Sequence, residues 1–328
     1  MKAVVAQSPG VVAVQDVPEP RVGEYDALCA VLASAVCSGT DKNIVYNHPY
    51  HKAQYPLVLG HEGIGRVIAL GPKVRNLKIG DMVTRVINDI PGFHAQYGAL
   101  AERALVRDWQ AMKEDNVDGW QRHTIHRVLP EGFDPIDATL IITWRETFAY
   151  FSRMKPKARE RLLIIGSGAN ALAFANHGKN AGLKVVVIGS QKRKELFESI
   201  GVDIYLSYHI PDIASQLSQT EFDMVIDAIG NQASLNVVIP LLAPQGRMGI
   251  YGLDEGLNFS KTRGDVSYFH PEEYDEGGAH DSIMQCIKEN KLNAWSYLSR
   301  DHIYQLDDAA QAFEAAWSGK AIKSVVIP

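Results

Sequence analysis

Cysteine is scarce in this sequence: three in 328 residues, at Cys29, Cys37 and Cys286. That count excludes a disulfide framework, points to a reducing compartment, and rules out a zinc lobe built from four cysteines. Long apolar runs are missing too. None reaches the ~20 residues that span a bilayer, and the opening Met1-Lys2-Ala3-Val4-Val5 is too short for a secretory signal, so a cytoplasmic protein with no membrane partner is expected. Nor is there a cationic excess, since 33 lysines and arginines against 38 acidic residues leave a net charge of −5. With no basic stripe, nucleic acid falls away as a partner. Internal repeats and low-complexity tracts are absent. What is present is ordinary for a globular chain, 46% apolar and 22% charged, and the length favours two domains.

Over the first hundred residues, short β-branched runs such as Val11 to Val14, Leu28 to Leu32, Gly65 to Leu70 and Met82 to Ile87 are separated by turns like Gly71-Pro72 and Gly80-Asp81. This pattern predicts a compact β-barrel. The polar stretch from Asp108 to Pro130, with Trp109, Trp120, His123 and His126, reads as an irregular excursion. From about Arg161 the texture changes to strand, glycine turn, helix, strand, which predicts right-handed βαβ units on a parallel sheet. Further strands are expected at Met224 to Ala228 and Arg247 to Gly252, helices at Ser282 to Asn290 and Asp307 to Ser318, and a last strand at Ser324 to Ile327 that is free to rejoin the first domain.

Two groups of residues carry chemistry. Gly166-Ser167-Gly168-Ala169-Asn170-Ala171 follows the strand Leu162 to Ile165 and opens a helix, the context in which a Gly-x-Gly-x-x-Gly/Ala match signifies a dinucleotide site. Gly166 permits the tight turn, Gly168 lets backbone approach a pyrophosphate, Ala171 allows close helix packing, and the helix N-terminus offers free N–H groups. At the end of the second strand, Gly189-Ser190-Gln191-Lys192-Arg193-Lys194 has no carboxylate for a ribose 2′-OH. Its cations point instead to the 2′-phosphate of NADP(H), in preference to NAD(H). The second group is Cys37, in Cys37-Ser38-Gly39-Thr40-Asp41, with His61 and Glu62, in Gly60-His61-Glu62-Gly63. Thiolate and imidazole suit zinc, and a catalytic zinc takes about three protein ligands and one open position. Taken alone, one cysteine with a His-Glu pair reads more readily as buried core.

With these residues in view, the chain resembles the medium-chain dehydrogenase/reductase superfamily, in its zinc alcohol and polyol dehydrogenase branch. The likeness runs over essentially the whole length and is carried by Tyr55 through Gly63, Val74 through Asp81, Gly98-Ala99-Leu100-Ala101-Glu102, the cofactor turn, Phe222 to Gly230, and Leu306 to Phe313. It implies an α/β and β protein: a GroES-like β-barrel catalytic domain over residues 1–145, a Rossmann doubly wound parallel-sheet domain over 146–268, and a C-terminal segment, 269–328, returning to the barrel. Carried over residue by residue, His61 is the metal histidine and Glu62 the adjacent carboxylate. Cys37 or Ser38 takes the remaining early position, because one extra residue precedes Gly39 and the soft thiol favours Cys37. The last ligand position falls on Thr143, a poor zinc ligand; if this segment is helical, Glu146, three residues on, shares its face and either points its carboxylate at the metal or pairs with Arg145 or another surface cation. The resemblance further implies one catalytic zinc and no structural zinc, Thr40 as a hydroxyl relay with His48 or His51 beyond it, Asp41 orienting His61, and a homodimer or homotetramer.

The activity implied is hydride exchange between NADP(H) and a secondary alcohol or carbonyl, a polyol, sugar or cyclitol among the candidates. Trp144, Phe148 and Tyr150 are equally able to line a pocket for an aromatic or aliphatic alcohol. Two alternatives stay open: a zinc-independent quinone or enone reductase, and a nucleotide-binding relative without turnover.

Overall fold

Eleven consecutive residues with no glycine or proline, Asp26-Ala-Leu-Cys-Ala-Val-Leu-Ala-Ser-Ala-Val36, form the longest strand of the protein and organise its first half. The computed structural model describes residues 1–94, 97–210, 213–217, 220–253, 263–271 and 274–328. The chain divides into two units. The first comprises Met1–Arg145, Glu276–Met284 and Asn293–Pro328, and the second Glu146–Asp275 and Gln285–Leu292. In this division the first unit resumes at Glu276.

In the first unit the strands are β1 (Lys2–Ser8), β2 (Val11–Asp16), β3 (Asp26–Val36), β4 (Leu57–Val58), β5 (Glu62–Leu70), β6 (Met82–Thr84) and β7 (Arg103–Arg107), with helices α1 (Thr40–Val45), α2 (Trp109–Glu114) and α3 (Pro135–Ala138). Helix α4 (Leu140–Arg153) leads into the second unit. There, β8 (Arg161–Ile165), β9 (Lys184–Gly189), β10 (Ile204–Ser207), β11 (Phe222–Asp227), β12 (Leu242–Ile250) and β13 (Ser267–Phe269) alternate with α5 (Ala169–Asn180), α6 (Lys194–Ser199), α7 (Ile213–Leu217) and α8 (Gln232–Val238). The chain closes with α9 (His280–Lys288), β14 (Ile303–Gln305), α10 (Ala309–Trp317) and β15 (Ser324–Ile327).

One sheet of the first unit runs β14-β15-β3-β5-β6, with β7 also on β3, and a smaller one runs β2-β1-β4. The last strand does rejoin the first half, antiparallel to β3. Two local differences from the sequence reading have simple causes. Strand β6 stops at Thr84 rather than Ile87 because Arg85 takes a left-handed φ of 63°, which leaves the β region. The stretch after Asp108 is not wholly irregular: Asp108 accepts from Ala111 N at 2.9 Å and caps α2. The same carboxylate accepts from the backbone N–H of Arg75 and Asn76 at 2.7 Å each. Trp109 and Trp120 then stack with ring centroids 6.0 Å apart.

The second unit holds one sheet, ordered β10-β9-β8-β11-β12-β13, every neighbouring pair parallel. The order reverses between β8 and β11, the switch point at which open α/β sheets bind ligands beyond their strand ends. Leu163, Ile165, Val186, Ile188, Val225, Met248 and Ile250 build its buried interior. Tyr150, a candidate pocket residue from the sequence, is instead core here, fully buried between Phe174 and Tyr251 with its hydroxyl donating to Phe269 O at 2.8 Å. Trp144 is likewise buried in the first unit, edge-on to Tyr297. Among the described residues no helix is long and apolar enough to cross a membrane.

Four histidines of the first unit are folded in their neutral form. Burial pushes His51, His123 and His280 down to about 4, and His126 well below its ordinary value. Each prefers the neutral state when folded but takes a proton near pH 6.5 when unfolded, so the unfolded chain binds more protons between roughly pH 6.5 and 4 and stability falls as pH falls through that window. Unfolding at pH 5 is expected to take up on the order of four protons per chain. Calorimetry at pH 5 in two buffers of different ionisation enthalpy measures that uptake, and a value near zero would contradict it.

Candidate metal centre and cofactor turn

The end of β3 acts as a ruler for the site. Ala35 pairs with Glu62 at the start of β5, and Val36 pairs with Ser324 at the start of β15. Glu62 and Lys323 are thereby brought to the end of the strand from which Cys37 leaves. Cys37, His61 and Glu62 are all buried, and one donor atom from each lies within 4.8 Å of the others. Among the described residues they form the one such group of three.

Asp41 braces two of these residues at once. Its Oδ1 lies 3.1 Å from His61 Nδ1, and its Oδ2 accepts from Cys37 N at 2.9 Å. Asp41 N in turn donates to Cys37 O at 3.1 Å. This closed turn accommodates the extra residue between Cys37 and Gly39 and leaves Cys37, not the half-buried Ser38, beside His61. Burial works against a charged imidazole at His61, but the Asp41 charge and its hydrogen bond, then Cys37, lift the group well above its ordinary value. Metal uptake must displace that proton.

Glu62 is engaged through both oxygens. Thr143 Oγ1 donates to Oε1 at 3.0 Å, and the ammonium of Lys323 pairs with Oε2 in a buried ion pair. Lys323 carried no motif signal in the sequence. Among the described residues the group of three does not include Glu146, and on α4 it is Thr143 that meets Glu62. Thr40 opens α1 and is half buried. His51 lies edge-on to Tyr50 at 5.1 Å between ring centroids, and His61 is among the charges that depress it.

No ligand chemistry is needed to see what the donor set suits. Thiol, imidazole and carboxylate in mutual reach, with the imidazole's other nitrogen on a carboxylate, match the composition and outer support of a zinc site with an open position.

In the second unit, Gly166 has φ 128°, and a Cβ there would meet Ala228 Cβ at 3.0 Å. Gly168 caps α5, and a Cβ on it would meet nothing within 4 Å, so the approach to the helix N-terminus is open. Ala169 and Ala171 are buried against the sheet, and Asn170 is half buried. Ser167 Oγ accepts from Ser190 N at 3.0 Å, and Tyr205 Oη donates to Ser190 O at 2.7 Å, which fixes the loop after β9. Gly189 has no room for a side chain, since a Cβ would lie 2.3 Å from Tyr205 Oη. Lys192 is exposed, while burial presses half-buried Arg193 below the usual guanidinium value. A partly desolvated cation on the loop that Ser190 ties to Ser167, together with an open helix N-terminus, is a combination that welcomes a phosphate.

Comparison with known proteins agrees with this layout. Residues 23–116 match the alcohol dehydrogenase GroES-like domain, and residues 166–268 the zinc-binding dehydrogenase domain. The chain is 24% identical to a sorbitol dehydrogenase of Halalkalibacterium halodurans over all of this chain and 99% of that protein. It is 30% identical to an L-threonine 3-dehydrogenase of Streptomyces avermitilis over 77% of each. In fold it is similar to the alcohol dehydrogenase of Thermus sp. ATN1, with TM-score 0.83 and 21% identity over all of this chain and 99% of that one. A zinc-binding dehydrogenase from Sinorhizobium meliloti bound to NADP gives TM-score 0.83 and 20% identity, with the same coverage.

Proposed function

From the premise that the chain belongs to the zinc-type medium-chain dehydrogenase/reductase superfamily, and is thus an oxidoreductase acting on small-molecule alcohols, we propose a zinc-dependent, NADP(H)-preferring enzyme that interconverts a secondary alcohol and its ketone. The observation that carries this reading is the buried group of Cys37, His61 and Glu62 with Asp41 behind it. Cys37, His61 and Glu62 would hold the metal. Bound there, zinc would supply Lewis acidity toward the substrate oxygen, and a nicotinamide at the cofactor turn would supply the hydride chemistry.

The protein's own groups do the rest. Asp41 keeps the His61 ring oriented, with Nδ1 turned to the carboxylate. Lys323 and Thr143 hold Glu62 by its two oxygens and limit its freedom to swing. Thr40 Oγ1 is the group we assign to pass the alcohol proton on, with His51, neutral at physiological pH, as the acceptor beyond it. A polyol, sugar or cyclitol is the substrate class we favour, with sorbitol dehydrogenase and D-arabinitol dehydrogenase 1 of Uromyces fabae among the similar proteins. We expect a homodimer or homotetramer.

Elemental analysis of the purified chain, with NADP+-dependent oxidation of a polyol panel, tests the proposal. About one zinc per chain and turnover of at least one polyol are expected. Well-folded protein that binds NADPH but holds no zinc would overturn it. A second reading, a metal-free quinone or enone reductase, draws on Lys323, whose ammonium already neutralises Glu62.

The cofactor preference has its own test. A charge-assisted hydrogen bond to the 2′-phosphate contributes ~1.5–3 kcal/mol, so Lys192→Ala with Arg193→Ala is expected to raise KM for NADPH by about 10- to 100-fold and to leave KM for NADH nearly unchanged. Steady-state rates with both cofactors measure this, and equal losses for the two would remove the 2′-phosphate assignment.

A further inference from the structure

The first unit contains a cavity of about 250 Å³ beside α2, lined in part by Leu77, Arg107, Trp109, His126, Arg127 and His280. It shares no lining residue with the Cys37, His61 and Glu62 group. Its polar groups are incompletely used. His126 is 5% exposed, and neither its Nδ1 nor its Nε2 has a hydrogen-bond partner. Arg127 lies over the Trp109 ring at 5.6 Å and donates an Nη to Gly277 O at 3.0 Å, yet its Nε is buried with no acceptor. Among the described residues Arg127 makes no ion pair.

The carboxylates of the wall do not supply what is missing. Asp108 spends its oxygens on the N–H groups of Arg75, Asn76 and Ala111, and Asp281 is exposed. A half-buried guanidinium with no counter-charge among the described residues, next to a buried imidazole with two unsatisfied nitrogens, is a costly arrangement for an empty pocket. The field is cationic as well: Arg107, Arg145 and Arg85 add to burial in disfavouring a proton on His126. An anion would accept from the Arg127 guanidinium and from the one N–H of the neutral His126 ring, and the apolar faces of Leu77 and Trp109 leave room for a short carbon portion.

We propose that this cavity binds a small oxyanion, a phosphate monoester or a carboxylate of a few carbons, with Arg127 and His126 on the anionic group. At about 250 Å³ it lies below the ~300 Å³ at which pockets for drug-sized ligands begin, so a dinucleotide does not fit.

Isothermal titration calorimetry of the full chain, saturated with NADP+ to occupy the cofactor turn, tests this with inorganic phosphate and with malonate as separate probes. Saturable binding of one or both is expected, weakened about tenfold or more by Arg127→Met and by His126→Leu but unchanged by Lys184→Ala at the exposed start of β9. The stronger probe tells phosphate from carboxylate. Arg127 is half exposed, so Arg127→Met remains decisive even if His126→Leu does not fold. No saturation by either probe at millimolar concentration, or binding that survives Arg127→Met, overturns the proposal.

Discussion

Alanine in place of His61 is expected to release the metal and to lower alcohol–ketone turnover about a thousandfold or more. The estimate follows from losing a contribution of several kcal/mol to the transition state, since each ~1.4 kcal/mol is a factor of ten in rate. His61 is 3% exposed and sits between Cys37, Glu62 and Asp41, so no solvent ligand replaces it at the same place without opening the core. Cys37→Ala is expected to match it. Asp41→Asn is the graded case, with metal affinity down about 10- to 100-fold, as when an orienting partner behind a ligand is lost. Glu146→Ala is expected to keep its zinc. Loss of zinc there would make Glu146 a ligand, and full zinc content in His61→Ala would remove the site as assigned. Elemental analysis and steady-state kinetics on the same four proteins decide between these outcomes.

Lys323→Met is expected to destabilise the metal-free first unit by roughly 3–5 kcal/mol, the usual consequence of leaving one member of a buried ion pair without the other. Lys323 is 2% exposed and Glu62 1%, so water cannot take over the ammonium's role. Adding Glu62→Gln to Lys323→Met is expected to recover much of the loss, because the second change removes the stranded charge. Chemical denaturation of the single and double variants forms the cycle that measures the coupling. A Lys323→Met chain as stable as the parent would mean that the pair contributes nothing to the fold.

Much of the architecture was legible in the residues. Strand, glycine turn and helix at Leu162 to Ala181 specify the βαβ unit locally, because the turn chemistry and the apolar run lie side by side in the chain. The membership of Cys37 and His61-Glu62 in one site was suggested by residue type, and the strand register of β3 and β5 supplies the physical link. Lys323 was invisible for the opposite reason. A lone lysine before Ser324-Val325-Val326-Ile327 looks like a surface charge, and only the pairing of β15 with β3 brings it to Glu62. The aromatic residues of α4 misled in a similar way: Trp144 and Tyr150 have the character of pocket walls, but their burial is set by packing on Tyr297, Phe174 and Tyr251. The short helix after Asp108 was hidden because its cap also serves Arg75 and Asn76, more than thirty residues upstream.

The Glu62–Lys323 pair spans 261 residues of sequence. At ~5–20 residues per second of synthesis, roughly 13 to 50 seconds separate the emergence of one partner from that of the other. Throughout that interval the ribosome-bound chain presents Cys37, His61 and Glu62 without the strand that closes over them. The entire second unit is made in the meantime. Order of synthesis is therefore written into the topology: the strands bearing Cys37, His61 and Glu62 are made first, and the strand that brings Lys323 to Glu62 is made after the whole second unit.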